Sequence, residues 1–456
     1  MQKPADRASS RPLGVLILGR KRPGFDQEWN SLIRHRALTA LADLGHQIVG
    51  GDVALVEDAT VAAEIERLKQ ADCQALVILQ PSFAHGQLAL TVAQHWPDPV
   101  VLWATPERLG DGKASSNSLV GQHLWASVLR QAGHPFEVVY GDPGEQTLGS
   151  ELVRAIALAR TAAQLRASRV GLVGSHAPGF INLTPDPLLL HKMMGIQLEP
   201  FSLPQFMERI RSIEQAAADK DVQQVLDMKF PMDGVGPNDL ETNSRYYLAM
   251  LGLMQEENLD ALALQCWPDI PNLLGQWPYL AIARLSGEGY AVSVEGDVDG
   301  CVGSLMNLHL GLGPSFLTDW LEHDYSTVHF WHPGMAPLSM CEPIGADGGP
   351  TLANHFNLAR PCVVNARLRC DEPATIARLW RCDGKYHLTA FEGRTIPPKR
   401  RITGSTVLIQ TTEPDIPKRF DTLLHAGMPH HVLISYGQNA EVVRRLARML
   451  HLEWHG

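Results

Sequence analysis

Val292-Ser293-Val294-Glu295-Gly296-Asp297-Val298-Asp299-Gly300 runs an apolar alternation straight into a set of acids broken by a glycine. Alternation of period two marks a strand, and a glycine after it marks the turn where the strand stops. Glu295 therefore stands at the C-terminal end of a buried strand, the edge at which open α/β sheets bind their ligands. Asp297 and Asp299 are the better helix caps, because short acids accept from the orphan N–H groups of a helix starting near Val298. That leaves Glu295 freer to face a cleft. A second apolar run, Pro314-Ser315-Phe316-Leu317, ends in Thr318-Asp319. Much later, Pro429-His430-His431-Val432-Leu433-Ile434 sets two imidazoles at the mouth of another strand. Seen alone, Asp319 reads as a cap or turn residue and His431 as structural. Taken together, two acids and a histidine at three strand edges make a site for one hard divalent cation.

Outward from that stretch, the chain alternates strand and helix. Leu13–Leu18, Ala75–Leu79 and Val100–Ala104 are continuous apolar runs, read as buried strands. Asp26 to Leu44 has helical spacing. A second α/β unit begins with Arg169–Gly174, continues through a short strand at Ile196–Phe201, helices at Leu203–Ala218 and Tyr246–Glu257, and strands at Ala261–Gln265 and Tyr290–Glu295. From about residue 325 the runs shorten (Cys362–Ala366, Ile376–Trp380, Ser405–Ile409) and Gly, Pro and Asp punctuate them, as in an antiparallel β domain or small barrel. Ala440–Leu450 closes the chain as a helix. The expected class is α/β: two doubly wound parallel-sheet domains, 1–167 and 168–325, followed by a mostly antiparallel, barrel-like domain, 326–456.

The 456 residues leave room for two or three buried cores, and 45% hydrophobic with 19% charged residues is an ordinary globular composition. A net charge of -10 and the lack of a long basic run argue against nucleic acid; Pro397-Pro398-Lys399-Arg400-Arg401 reads as a solvated loop. Seven cysteines without CxxC spacing speak for a reducing compartment and against disulfides or structural zinc. No apolar leader or 18-residue apolar span is present, so the expectation is a cytoplasmic protein off the membrane. P-loop, HExxH, GxSxG and GxGxxG motifs are missing, which sets nucleotide use, hydride transfer and serine hydrolysis aside. The loop Leu18-Gly19-Arg20-Lys21-Arg22-Pro23-Gly24 is too basic for a plain dinucleotide turn but suits an anionic or hydroxyl-rich ligand.

These motifs resemble the L-fucose/L-arabinose isomerase family of metal-dependent aldose–ketose isomerases. Val294-Glu295-Gly296-Asp297 is similar to the Glu-Gly-Asp that supplies a manganese ligand in arabinose isomerases. Phe316-Leu317-Thr318-Asp319 looks like the Phe-Ala-Asp run of fucose isomerases, and His430-His431 like their C-terminal histidine pair. The resemblance implies Glu295, Asp319 and His431 as metal ligands, with His332 of Trp331-His332-Pro333-Gly334 as a fourth candidate in the arabinose manner. It implies Glu295 and Asp319 as the catalytic acid–base pair. It places sugar contacts at Gln265 and Trp267 of Gln265-Cys266-Trp267-Pro268-Asp269, at Arg22 of Arg22-Pro23-Gly24-Phe25-Asp26, and at His430 and His355. The implied activity is isomerisation of a free pentose, hexose or 6-deoxy sugar through a cis-enediol, with Mn²⁺ as cofactor (Co²⁺, Fe²⁺ or Mg²⁺ as substitutes). The implied assembly is a homotrimer or homohexamer with sites at subunit interfaces. Another metal-assisted sugar reaction, epimerisation or aldol cleavage, and a non-catalytic sugar-binding protein are the alternatives.

Overall fold

The computed structural model describes residues 11–20, 25–110 and 112–456. It divides into two compact units, one ending at Gln164 and the other running from Leu165 to Gly456. In the first, β1 (Leu13–Leu18), β2 (Ile48–Leu55), β3 (Ala75–Gln80), β4 (Val100–Ala104) and β5 (Phe136–Tyr140) form one sheet in the order β2-β1-β3-β4-β5. All four pairings are parallel. The continuous apolar runs of β1, β3 and β4 are buried on both faces, as helices on each side require. Burying each of their large aliphatic side chains contributes on the order of 1.5–3 kcal/mol. The helix Gln27–Asp43 starts where Asp26 accepts from the Trp29 amide, as its spacing predicts. The strands β2 and β5 escape a sequence reading because they are edges. Ile48–Leu55 carries Gly50 and Gly51 and is largely solvated, and Phe136–Tyr140 buries only alternate residues.

The second unit holds two sheets. β6 (Arg169–Val173), β7 (Gln197–Phe201), β9 (Ala261–Leu264) and β10 (Ala291–Ser293) form a parallel sheet in the order β10-β9-β6-β7. The expected helix at Leu203–Ala218 is two helices, Leu203–Ser212 and Gln215–Asp227, because Ile213 and Glu214 are extended between them. No glycine or proline announces that break.

The remaining strands are β8 (Met232–Asp233), β11 (Phe316–His323), β12 (Thr327–His332), β13 (Thr351–Ala353), β14 (Val363–Arg367), β15 (Pro373–Cys382), β16 (Lys385–Ile396), β17 (Ser405–Thr411), β18 (His431–Tyr436) and β19 (Glu453–His455). Six of them, β16-β15-β18-β11-β12-β17, are all antiparallel neighbours, and β17 pairs back onto β16. That closure makes a barrel, which removes the open edges of a sheet. The two parallel sheets and the antiparallel barrel are the architecture expected from the sequence. The seven cysteines are free. Among the described residues no helix is long and apolar enough to cross a membrane.

Candidate active site

The site forms where the carboxyl edge of the second parallel sheet meets the barrel. Strand β10 stops at Ser293, and the chain turns through two successive left-handed residues, Glu295 (φ +59°) and Gly296 (φ +68°). A left-handed glutamate costs on the order of 1 kcal/mol and persists only when its surroundings fix it. Here the Ala177 amide donates to the Glu295 carbonyl and the Gly296 amide to that of Leu264. A Cβ on residue 296 would come within 2.2 Å of the Ser175 carbonyl oxygen, so glycine is required. The turn points the Glu295 side chain inward.

On the barrel, β11 and β18 run antiparallel with Asp319 directly opposite His431. Cross-strand partners share a face, so the register itself brings acid and imidazole together. His431 Nε2 lies 3.3 Å from Glu295 Oε2 and 3.7 Å from Asp319 Oδ1. His430 Nε2 is 3.7 Å from Glu295 Oε2. Single donor atoms of Glu295, His430 and His431 all fall within 4.8 Å of one another. His332, at the end of β12, is buried, and its ring centroid stands 5.8 Å from that of His431.

Behind His431 is a feature that the sequence reading did not find. Asp297 caps the helix Val298–His309 by accepting from the Gly300 amide, as expected. Its carboxylate also contacts His431 Nδ1 at 2.8 Å and takes two hydrogen bonds from Arg378, at 2.6 and 3.0 Å. Both members of that ion pair are buried, Arg378 completely. Asp299 is not a cap. Its carboxylate accepts from the Arg381 guanidinium and the Tyr386 hydroxyl. A lone arginine inside the apolar run Ile376–Trp380 was the available signal, since a cation at an inward strand position must have a buried acid for a partner.

The electrostatics follow from this packing. Burial raises the Glu295 carboxyl, but contacts with His430 and His431 outweigh it and hold the group well below the usual carboxylate range. Asp297 is treated alike by burial, then by Arg378 and His431, with the same downward result. Burial alone would lower His431; its hydrogen bond to Asp297 and the nearby charge of Glu295 win and lift it to about 10. Burial dominates at His332 and pushes it down to about 4. The cluster thus demands positive charge at the point His431 Nε2 faces.

A bound cation is one way to meet that demand, and the donors present fit one. His430 Nε2, His431 Nε2 and His332 Nδ1 are buried without a hydrogen-bond partner. The set is carboxylate oxygen and imidazole nitrogen with no thiolate, a mix suited to Mn²⁺, Fe²⁺, Co²⁺ or Mg²⁺.

Of the expected sugar contacts, Trp267 donates Nε1–H to Glu295 Oε1 at 2.9 Å, and Phe180 packs edge-on against it and tilted against the His430 ring. Gln265 sits at the end of β9, accepting from the Ser175 amide and donating to Asp269. His355 lies apart from the donor cluster: it stacks on Trp277 at 4.0 Å and packs against Tyr279, which stands edge-on to His332. Arg22 lies outside the described residues.

Acids and imidazoles thus gather where a parallel sheet abuts the barrel, a set of groups that can move protons and hold a cation, as aldose–ketose isomerisation requires. Comparison with known proteins agrees. Residues 14–166 match the family model for the fucose/sulfoquinovose isomerase N-terminal domain. The chain is 26% identical to the sulfoquinovose isomerase of Priestia aryabhattai over 96% of its own length and 98% of the relative's. It is 26% identical to that of Clostridium sp. (strain MSTE9), over 83% of this chain and 85% of the relative. The L-arabinose isomerase of Escherichia coli (strain K12) matches at 26% over 40% of this chain and 38% of that protein. The resemblance carried by the sequence motifs is borne out, and the relatives that match most of the chain support a sugar isomerase.

Proposed function

We propose that the protein interconverts an aldose and its 2-ketose through a cis-enediol, with one divalent cation held by Glu295, Asp319 and His431, and that its substrate is sulfoquinovose. The metal reading is supported above all by His431, held from behind by Asp297 and Arg378 and facing both acids with an unpartnered nitrogen. His430 and His332 flank the same point and are the further donors. When bound, the cation supplies Lewis-acid polarisation of the sugar carbonyl. The acids move protons. Asp319 has the more open side chain, 29% exposed against 11% for Glu295. It takes the C2 proton of the aldose and returns it to C1, while Glu295 manages the proton exchanged between the two substrate oxygens. Trp267 fixes the orientation of Glu295 by its hydrogen bond. Sulfoquinovose, a hexose with a sulfonate at C6, enters this reading from relatives that match 96% and 83% of this chain. Manganese as the metal, a homotrimer or homohexamer as the assembly and a cytoplasmic location complete the same reading.

The test is isomerisation of sulfoquinovose in D₂O followed by NMR, with added Mn²⁺. Solvent deuterium should enter at the transferred position, EDTA should abolish turnover, and Glu295→Gln and Asp319→Asn should each be inactive. Wild-type rates in either variant, or in the chelated enzyme, would sink the proposal.

A further inference from the structure

In the first unit the strand order β2-β1-β3-β4-β5 reverses direction between β1 and β3. At such a reversal the connections leave on opposite faces, and a crevice opens beyond the carboxyl ends of the two strands. A cleft of about 90 Å³ occupies that place, lined by Arg20 after β1, by Asn30, Ser31 and Arg34 of the helix Gln27–Asp43, and by Ser82 after β3. It is far smaller than the roughly 300 Å³ at which pockets for whole small molecules begin, so it fits a group rather than a complete ligand.

Its chemistry is cationic and unspent. Neither Arg20 nor Arg34 has a carboxylate partner among the described residues. Three neighbouring arginines of the unit are paired, Arg36 with Asp142, Arg67 with Glu64 and Arg108 with Asp26, whereas Arg130 and Arg160, like Arg20 and Arg34, have no carboxylate partner among the described residues. The acid nearest Arg20 along the chain, Asp26, is committed to Arg108 and to capping the helix. Arg20 is held in place by two rings, its guanidinium carbon 5.4 Å from the centre of Phe25 and 5.6 Å from that of Phe83, and its Nε is buried without a partner. Asn30 is 9% exposed, and its Oδ1 has no partner. Turned about its last bond, the same amide offers two N–H donors. A buried polar group left unpaired costs about 1–3 kcal/mol, which a ligand seated in this cleft would offset. Guanidinium forks, a buried amide and two serine hydroxyls are the donors that bind a tetrahedral oxyanion.

We infer that this cleft binds a sulfonate, sulfate or phosphate group. The group has two sources, a free inorganic anion or the charged end of a sugar substrate; only the second rests on the function proposed above.

The experiment uses the full chain. Inorganic sulfate and phosphate are titrated calorimetrically against wild type, Arg34→Gln and Arg34→Lys, with chloride at matched ionic strength as control, and KM is measured for sulfoquinovose and for glucose. Ser82→Ala is a second variant should Arg34→Gln not fold. Saturable sulfate or phosphate binding that weakens at least tenfold in Arg34→Gln and less in Arg34→Lys, with KM unchanged, assigns a free anion. A KM for sulfoquinovose that rises at least tenfold in Arg34→Gln, with glucose unaffected, assigns the substrate's sulfonate. If neither anion nor sulfoquinovose distinguishes wild type from the variants, the inference is overturned. A protein that isomerises no sugar would sink the proposed function and leave the anion titration to decide this one.

Discussion

Arg378→Met puts the electrostatic core of the site to its hardest test. The guanidinium is completely buried and gives Asp297 two hydrogen bonds, at 2.6 and 3.0 Å. Methionine keeps most of the volume and removes the charge. Asp297 would then be a buried carboxylate with only the Gly300 amide and His431 Nδ1 for partners. Breaking a buried pair on one side costs about 3–5 kcal/mol, a large share of the roughly 5–15 kcal/mol that holds a domain together. Urea unfolding followed by tryptophan fluorescence should show it. The loss belongs to the transition that reports the barrel, where β15 carries the buried Trp380, and not to that of the first unit with Trp103 and Trp125.

The double variant Arg378→Met/Asp297→Leu separates stability from catalysis. Replacing both charges by apolar groups is often close to neutral, so stability should return to within about 2 kcal/mol of wild type. Turnover should not return, because His431 Nδ1 has lost the acceptor that fixes its tautomer and ring plane, and such partners typically matter about 10–100-fold. A single variant within about 1 kcal/mol of wild type, or a double variant with full activity, refutes the assignment.

Trp267→Phe keeps the ring against Phe180 and deletes the donor to Glu295. A hydrogen bond to a charged group is worth about 1.5–3 kcal/mol, so kcat should fall about 10- to 150-fold; an unchanged kcat would show that the bond does not orient the base. Glu107→Gln tests pH dependence in the first unit. Burial raises that carboxyl, but donors from Ser115, Ser116 and Asn117 outweigh it and hold it down at about 2. A lowered folded value means a contribution fully present above the usual carboxylate range and lost as pH falls through about 2. Acid unfolding curves between roughly pH 4.5 and 2 should therefore be shallower in the variant than in wild type; parallel curves would contradict the donor set.

What the sequence made legible, and what it hid, divides along the range of the interactions. Buried strands such as β1, β3 and β4 announce themselves because both faces must be apolar, and the Glu295 turn because alternation stops at a glycine. The edge strand β2 does not, since half of it is wet. The site residues at strand ends could be read as candidates one at a time, but what joins them is register: Asp319 meets His431 because β11 and β18 pair at that step, and nothing within either strand records the pairing. Asp297 shows the limit most sharply. As a short acid before a helix it satisfied a local rule, and it does cap Gly300. Yet one carboxylate has oxygens enough for a cap, a guanidinium and an imidazole at once. A local reading stops at the first sufficient explanation, whereas a buried charge needs every contact that neutralises it. That asymmetry is a usable criterion: an arginine within an apolar strand, such as Arg378, implies a buried acid elsewhere, and an acid that already has a local role is as eligible as one that has none.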